Sequence, residues 1–147
     1  MKTYVKYLLP LAAVVGVLAS GGGASAGSAE DAKALLAKAV GALQADKGAL
    51  AKFDDPKGGF INGDLYVFCF DRKTGVVENG SLKGKDMRTL KDSTGKAFGQ
   101  DLFDDAKEGQ VGTVEYMFPK PGATDPSPKV SFIQAVGDLA CGVGYYK

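Results

Sequence analysis

Apolar residues recur at helical spacing over residues 28–44: Ala32, Leu35, Leu36, Ala39, Val40 and Leu43 fall on one stripe. Ser28 stands where an N-cap is needed, and Glu30 and Asp31 occupy the first turn, where the helix dipole favours acids. Gly48 interrupts the stripe, residues 49–53 add a short helical turn, and Asp55-Pro56-Lys57-Gly58-Gly59 ends it. Strand signals then take over. Asn62-Gly63-Asp64 introduces a β-rich run over 65–70, Thr74-Gly75 turns into 76–78, and Asn79-Gly80 closes the piece, so 65–78 is predicted to be a hairpin. Residues 81–97 are polar and irregular. Phe98, Leu102, Phe103 and Ala106 mark a short amphipathic helix stopped by Gly109. Three more strands are predicted at 112–118, 129–136 and 139–146; the loop KPGATDPSP parts the first two and Gly137-Asp138 the last two. The order helix, two strands, helix, three strands predicts an α+β domain, a meander-like antiparallel sheet with a helix on one face.

The first 26 residues carry a different pattern. Lys2 and Lys6 precede an apolar stretch over 8–19, and Ala24-Ser25-Ala26 supplies the small residues of a signal-peptidase site. The stretch falls short of the roughly 20 residues needed to span a bilayer as a helix. Residues 1–26 are therefore expected to be a signal peptide and 27–147 a single exported domain, periplasmic or secreted. Without Lys2 and Lys6 the chain holds 16 basic and 17 acidic residues, a balance that offers no basic face to nucleic acid. No second apolar segment of spanning length occurs, so no membrane insertion is expected after cleavage.

The chain contains no histidine, so neither a Ser-His-Asp or Cys-His pair nor an imidazole metal site can be assembled. The glycines form no GxxxxGK or GxGxxG motif, so nucleotide binding has no support and no cofactor is expected. Asp101, Asp104, Asp105 and Glu108 share one side of the short helix, where a solvated face explains them better than a cation site. Asp71-Arg72-Lys73-Thr74-Gly75 has the residue types of a hairpin turn. Cys69 and Cys141 lie in strand-like runs of an exported chain, which leaves open a disulfide or two buried thiols.

Alternation supplies the candidate site. Tyr66, Phe68 and Phe70 share one strand face, as do Tyr116 and Phe118 on another strand and Lys129 and Ser131 on the next. Aromatic walls with a few polar groups make either a small-molecule pocket or ordinary core. If the strands around KPGATDPSP pair antiparallel, Lys129 and Ser131 join Tyr116 and Phe118 on one side of the sheet, with Tyr66 or Phe68 as a floor. An ammonium there would orient a ligand carboxylate; the alternative is a lysine capping the sheet edge in water.

The phrase FDDPKGGFINGDLYVFCFDRKTG resembles the first-strand region of single-Cache sensor domains. LKGKDMRTLKDSTGKAF, a helix ending in KEG, VGTVEYMFPKPG and PKVSFIQAVGDLACGVGYY follow in that family's order, covering roughly residues 28–147. The resemblance implies a PAS-like or profilin-like fold, a five-stranded antiparallel sheet with a long N-terminal helix packed on one face. It also implies that the first and last strands are neighbours, which would bring Cys69 to Cys141. Members of that family are extracytoplasmic sensors of small molecules, often short organic acids or amino acids, usually fused to chemoreceptors or kinases; some are solitary exported domains, the form this chain resembles.

The chain departs from the family's phrases around the pocket. VVENGSLKGKD replaces a longer connection containing His-Pro, Tyr116-Met117-Phe118 stands for Tyr-Arg-Trp, and Lys129-Val130-Ser131-Phe132 for Lys-x-Ser-Tyr. Lys129 is left as the obvious cation, which points to a more apolar ligand or to an emptied site. The resemblance thus implies a non-catalytic, exported binding domain acting with a membrane receptor or kinase on another chain. The alternative is a protein–protein interaction module that keeps the fold and has lost ligand binding.

Overall fold

A computed structural model describes residues 27–147. The expected signal peptide lies outside the described residues. Helix α1 (Ala29–Ala45) begins at a reciprocal capping box: Asp31 N–H donates to Ser28 Oγ at 3.1 Å, and Ser28 N–H donates to Asp31 Oδ2 at 3.0 Å. Its stripe of Ala32, Leu36, Ala39, Val40 and Leu43 is buried, as the periodicity predicts. A 3-10 turn over Lys47–Lys52 follows and places Phe53 in the same core.

Five strands form one antiparallel sheet: β1 (Ile61–Asn62), β2 (Leu65–Asp71), β3 (Gly112–Pro119), β4 (Pro126–Val136) and β5 (Leu139–Tyr146), in the order β1-β2-β5-β4-β3. The first long strand and the last are therefore neighbours in the interior of the sheet. Cys69 stands opposite Cys141, and the two sulfurs are bonded. Helix α1 packs on β2, β4 and β5, burying Leu65, Val67, Phe132 and Val143. Helix α2 (Phe98–Asp105) and the loops before it cover the other face, against Phe68, Phe70, Val114, Tyr116 and Ile133.

Three local expectations are corrected. Residues 76–78 form no strand of their own: Val77 makes an isolated bridge to Phe70 and Val76 one to Asp86, while the fifth strand is the two-residue β1. The Asp71 turn itself forms, its carboxylate accepting from the N–H groups of Lys73 and Thr74. Helix α2 stops at Asp105, so Glu108 leaves the acidic row; it accepts from Gly137 N–H and from Arg72 instead. Strand β4 starts at Pro126, three residues before the predicted boundary, because Pro126 and Pro128 sit on it opposite Pro119 and Met117.

The irregular 81–97 segment is fastened by side chains. Asp92 accepts from Thr94, from Lys96 N–H and, at 2.9 Å, from Met117 N–H on the edge strand β3. The Met117 bond, with the Thr94 bonds, holds the Asp92 carboxyl down at about 2.

Candidate functional site

The sheet face opposite α1 carries every residue that alternation grouped. Tyr66, Phe68, Tyr116, Phe118, Lys129 and Ser131 all project to that side, and five of the six line one space, beside Ser131. Register explains the grouping. Lys129 stands between Tyr116 on β3 and Tyr146 on β5, its direct partners on either side, and Ser131 stands between Val114 and Gly144. Tyr116 donates to or accepts from Ser131 at 2.9 Å. The Tyr116 ring stacks on Phe98 of α2 with centroids 4.3 Å apart and planes 7° apart, and the Phe118 ring meets both edge-on.

Two glycines of β5 make the space. A Cβ on Gly142 would run into the Phe68 ring, and one on Gly144 into the Lys129 stem and Ser131 Oγ. Gly-Val-Gly therefore leaves a bare track on the pocket side of β5, across which Phe68 and Lys129 lie. Sequence reasoning passed over both glycines and Tyr146, although glycine at alternate positions of an otherwise strong strand signals such close approach.

Lys129 is only 1 % exposed. Its Nζ donates to Tyr66 Oη at 2.8 Å and lies 4.3 Å from the Tyr66 ring centroid, 5.1 Å from Phe118, 5.3 Å from Tyr146, 5.7 Å from Phe68 and 5.9 Å from Tyr116. Five rings at these distances form a cage for a cation. Among the described residues no carboxylate forms an ion pair with it. The expectation of a lysine in water at the sheet edge does not describe this side chain. Burial without an opposite charge pushes the ammonium down to about 7. Burial also raises the phenols of Tyr66, Tyr116 and Tyr146, so all three stay protonated hydroxyls.

The wall opposite the sheet adds, to Phe98 and Leu102 of α2, loop residues that periodicity did not nominate. Asn79 is buried, and its side chain extends the ladder of β2: Oδ1 accepts from Cys69 N–H at 2.7 Å, and Nδ2 donates to Val67 O at 2.8 Å and to Asp54 at 3.1 Å. Asp54 also accepts from Gly80 N–H. These bonds fix Gly80, Ser81 and Leu82 over the cage, with Met87, Phe98 and Leu102 behind them. The space between this wall and the sheet is a partly open cavity of about 20 Å³. A groove of about 440 Å³ adjoins it, sharing Tyr66, Gly80, Ser81 and Phe118 and continuing to Pro119–Ala123 and Ile61.

A sheet with a long helix on one face and an aromatic pocket around one buried cation on the other defines a PAS-like sensor domain. The sequence model of the Cache domain matches residues 35–146, and the chain belongs to that family. Among solved structures it is similar to a methyl-accepting chemotaxis protein from Vibrio parahaemolyticus, at 25% identity and TM-score 0.65, covering 80% of this chain and 86% of that one. It is also similar to the periplasmic sensor domain of a chemotaxis protein, at 26% identity and TM-score 0.60, covering 80% and 88%. A third structure, of carboxylic acid recognition by a Cache chemosensory domain, shares the fold at 24% identity and TM-score 0.55, covering 80% of this chain and 86% of that one. No curated protein sequence matches the chain. Among the described residues no helix is long and apolar enough to cross a membrane.

Proposed function

We propose that this Cache domain is a non-catalytic, exported receptor for a small organic acid, whose carboxylate pairs with Lys129. The carrying observation is a buried lysine ringed by aromatics that pairs with no carboxylate among the described residues. A buried cation without a counter-ion is costly, and a ligand anion relieves that cost. The Tyr66 hydroxyl is bound to Nζ, and Ser81, Asn79 and Tyr116 are the other polar residues of the pocket lining.

The pocket lining contains no Asp or Glu. An amino acid would bring an ammonium with nothing to pair it, into a cage already filled by Lys129. Organic acids therefore fit better than amino acids, and the carboxylic acid named for the third structure is chemically consistent with that choice. The apolar stretch over 8–19 and the Ala24-Ser25-Ala26 site support export, with residues 1–26 as signal peptide and 27–147 as the working domain. The loaded domain would act on a membrane receptor or kinase of another chain. The interaction-module reading draws on the small cavity, yet the exposed large apolar residues among those described are only Ile61 and Val111, too few for an apolar docking patch.

Thermal-shift measurement against carboxylates, their primary amides and amino acids tests this reading. Carboxylates should stabilise the protein by about 2.7 kcal/mol at a hundredfold excess over Kd, and amides and amino acids should not. Equal stabilisation by acid and amide would remove Lys129 from the role.

A further inference from the structure

The cavity at Lys129 is too small for a whole ligand. A water needs roughly 10–15 Å³ of such space, so about 20 Å³ admits one or two water-sized groups, the size of a carboxylate head. Spaces that hold complete small molecules run from about 300 to 1,000 Å³, and the adjoining groove of about 440 Å³ falls in that range. Tyr66, Phe118, Gly80 and Ser81 border both spaces, so only two aromatic rings and a glycine-serine segment stand between the cage and the groove. Beyond that septum the lining is mostly apolar, with Phe53, Ile61, Val67, Pro119, Pro121 and Ala123, and carries one cation, Lys120, whose Nζ lies 5.8 Å from the Tyr146 ring centroid. Its acid, Asp54, is engaged by Asn79 and Gly80.

We infer that the groove between β1 and the β3–β4 loop is a second subsite, which holds the apolar tail of an amphiphilic monocarboxylate whose head is anchored at Lys129. The inference rests on the carboxylate reading of Lys129 and adds the class of acid: long-chain or aryl-substituted monocarboxylates over acetate-like ones. The head enters the cage, the tail passes between Tyr66 and Phe118, and the groove removes it from water.

A calorimetric titration with straight-chain alkanoates from acetate to decanoate tests this. Each methylene drawn into the groove should tighten binding by roughly two- to fourfold, until the groove is full. Ala123→Trp, which fills the groove, should flatten that dependence on length, whereas Lys129→Met should weaken every member of the series. Affinity that peaks at acetate or propionate and falls thereafter would overturn the tail subsite while leaving the carboxylate reading standing. An unchanged slope in Ala123→Trp would overturn it too. Failure of every alkanoate to bind would remove the carboxylate reading and the subsite with it.

Discussion

Lys129 on β4 reaches across β5 to hydrogen-bond Tyr66 on β2, and its stem crosses the backbone of Gly144, where a Cβ would collide with it. The cage thus depends on a residue with no side chain. Gly144→Ala should displace Lys129 and Ser131, costing about 1–3 kcal/mol from overpacking and weakening carboxylate binding. Chemical denaturation and titration calorimetry check the two effects. An alanine variant with parental stability and affinity would show that the stem has room to move.

Replacing Lys129 by methionine should stabilise the unliganded protein while abolishing carboxylate binding, because an unpaired buried ammonium gives way to an apolar chain. The parent should also show a particular pH dependence. The folded Lys129 titrates at about 7, the unfolded lysine at about 10.4. Between those values the unfolded chain binds the extra proton, so stability rises with pH from about 7 toward about 10. Below about 7 both states are protonated and this contribution is flat. Tyr66, Tyr116 and Tyr146, raised by burial, reverse the trend above about 10, where the unfolded phenols ionise. Denaturation midpoints between pH 6 and 9.5 should climb in the parent and stay flatter in Lys129→Met; parallel curves would contradict the depressed lysine.

The disulfide joins directly opposed residues 72 positions apart in sequence. Its loss in a Cys69→Ala, Cys141→Ala double variant should cost about 2–4 kcal/mol. The sulfurs lie in the α1-side core, away from the cage, so carboxylate affinity should change little wherever the variant remains folded. A large affinity loss in a folded variant would tie the bridge to the pocket.

Asn79→Ala should strip partners from the Cys69 N–H and the Val67 carbonyl, both buried in β2, at about 1–3 kcal/mol for each group. It also frees the Gly80–Leu82 wall. Stability and binding should fall together, measured by denaturation and calorimetry; binding unchanged in a destabilised variant would mean that the wall holds without its amide.

Much of this arrangement was legible in the order of residues. The α1 stripe, the shared faces of Tyr66 with Phe68 and Lys129 with Ser131, and the strand limits of β5 follow from periods of 3.6 and 2. The neighbouring of β2 and β5, and hence the cysteine pair, came from resemblance, since periodicity carries no information on which strands pair. β1 was missed because two residues hold no period, and 76–78 looked like a strand because its side chains satisfy a bridge and a core position. Asn79 read as a turn residue; its work is done by a side-chain amide ten positions from its partner in sequence. The size of the cavity depends on how far Phe68 and Lys129 settle onto Gly142 and Gly144, a tertiary distance that no local pattern encodes.

The central claim, that a ligand carboxylate completes the buried charge of Lys129, is tested most directly by calorimetry with hexanoate and hexanamide at pH 8 in buffers of different ionisation enthalpy. The account predicts binding of the acid and not the amide. It also predicts uptake of about one proton per acid bound, because pairing raises a lysine that is mostly neutral at that pH in the free protein. Acid and amide binding alike, or acid binding with no proton taken up, would contradict it.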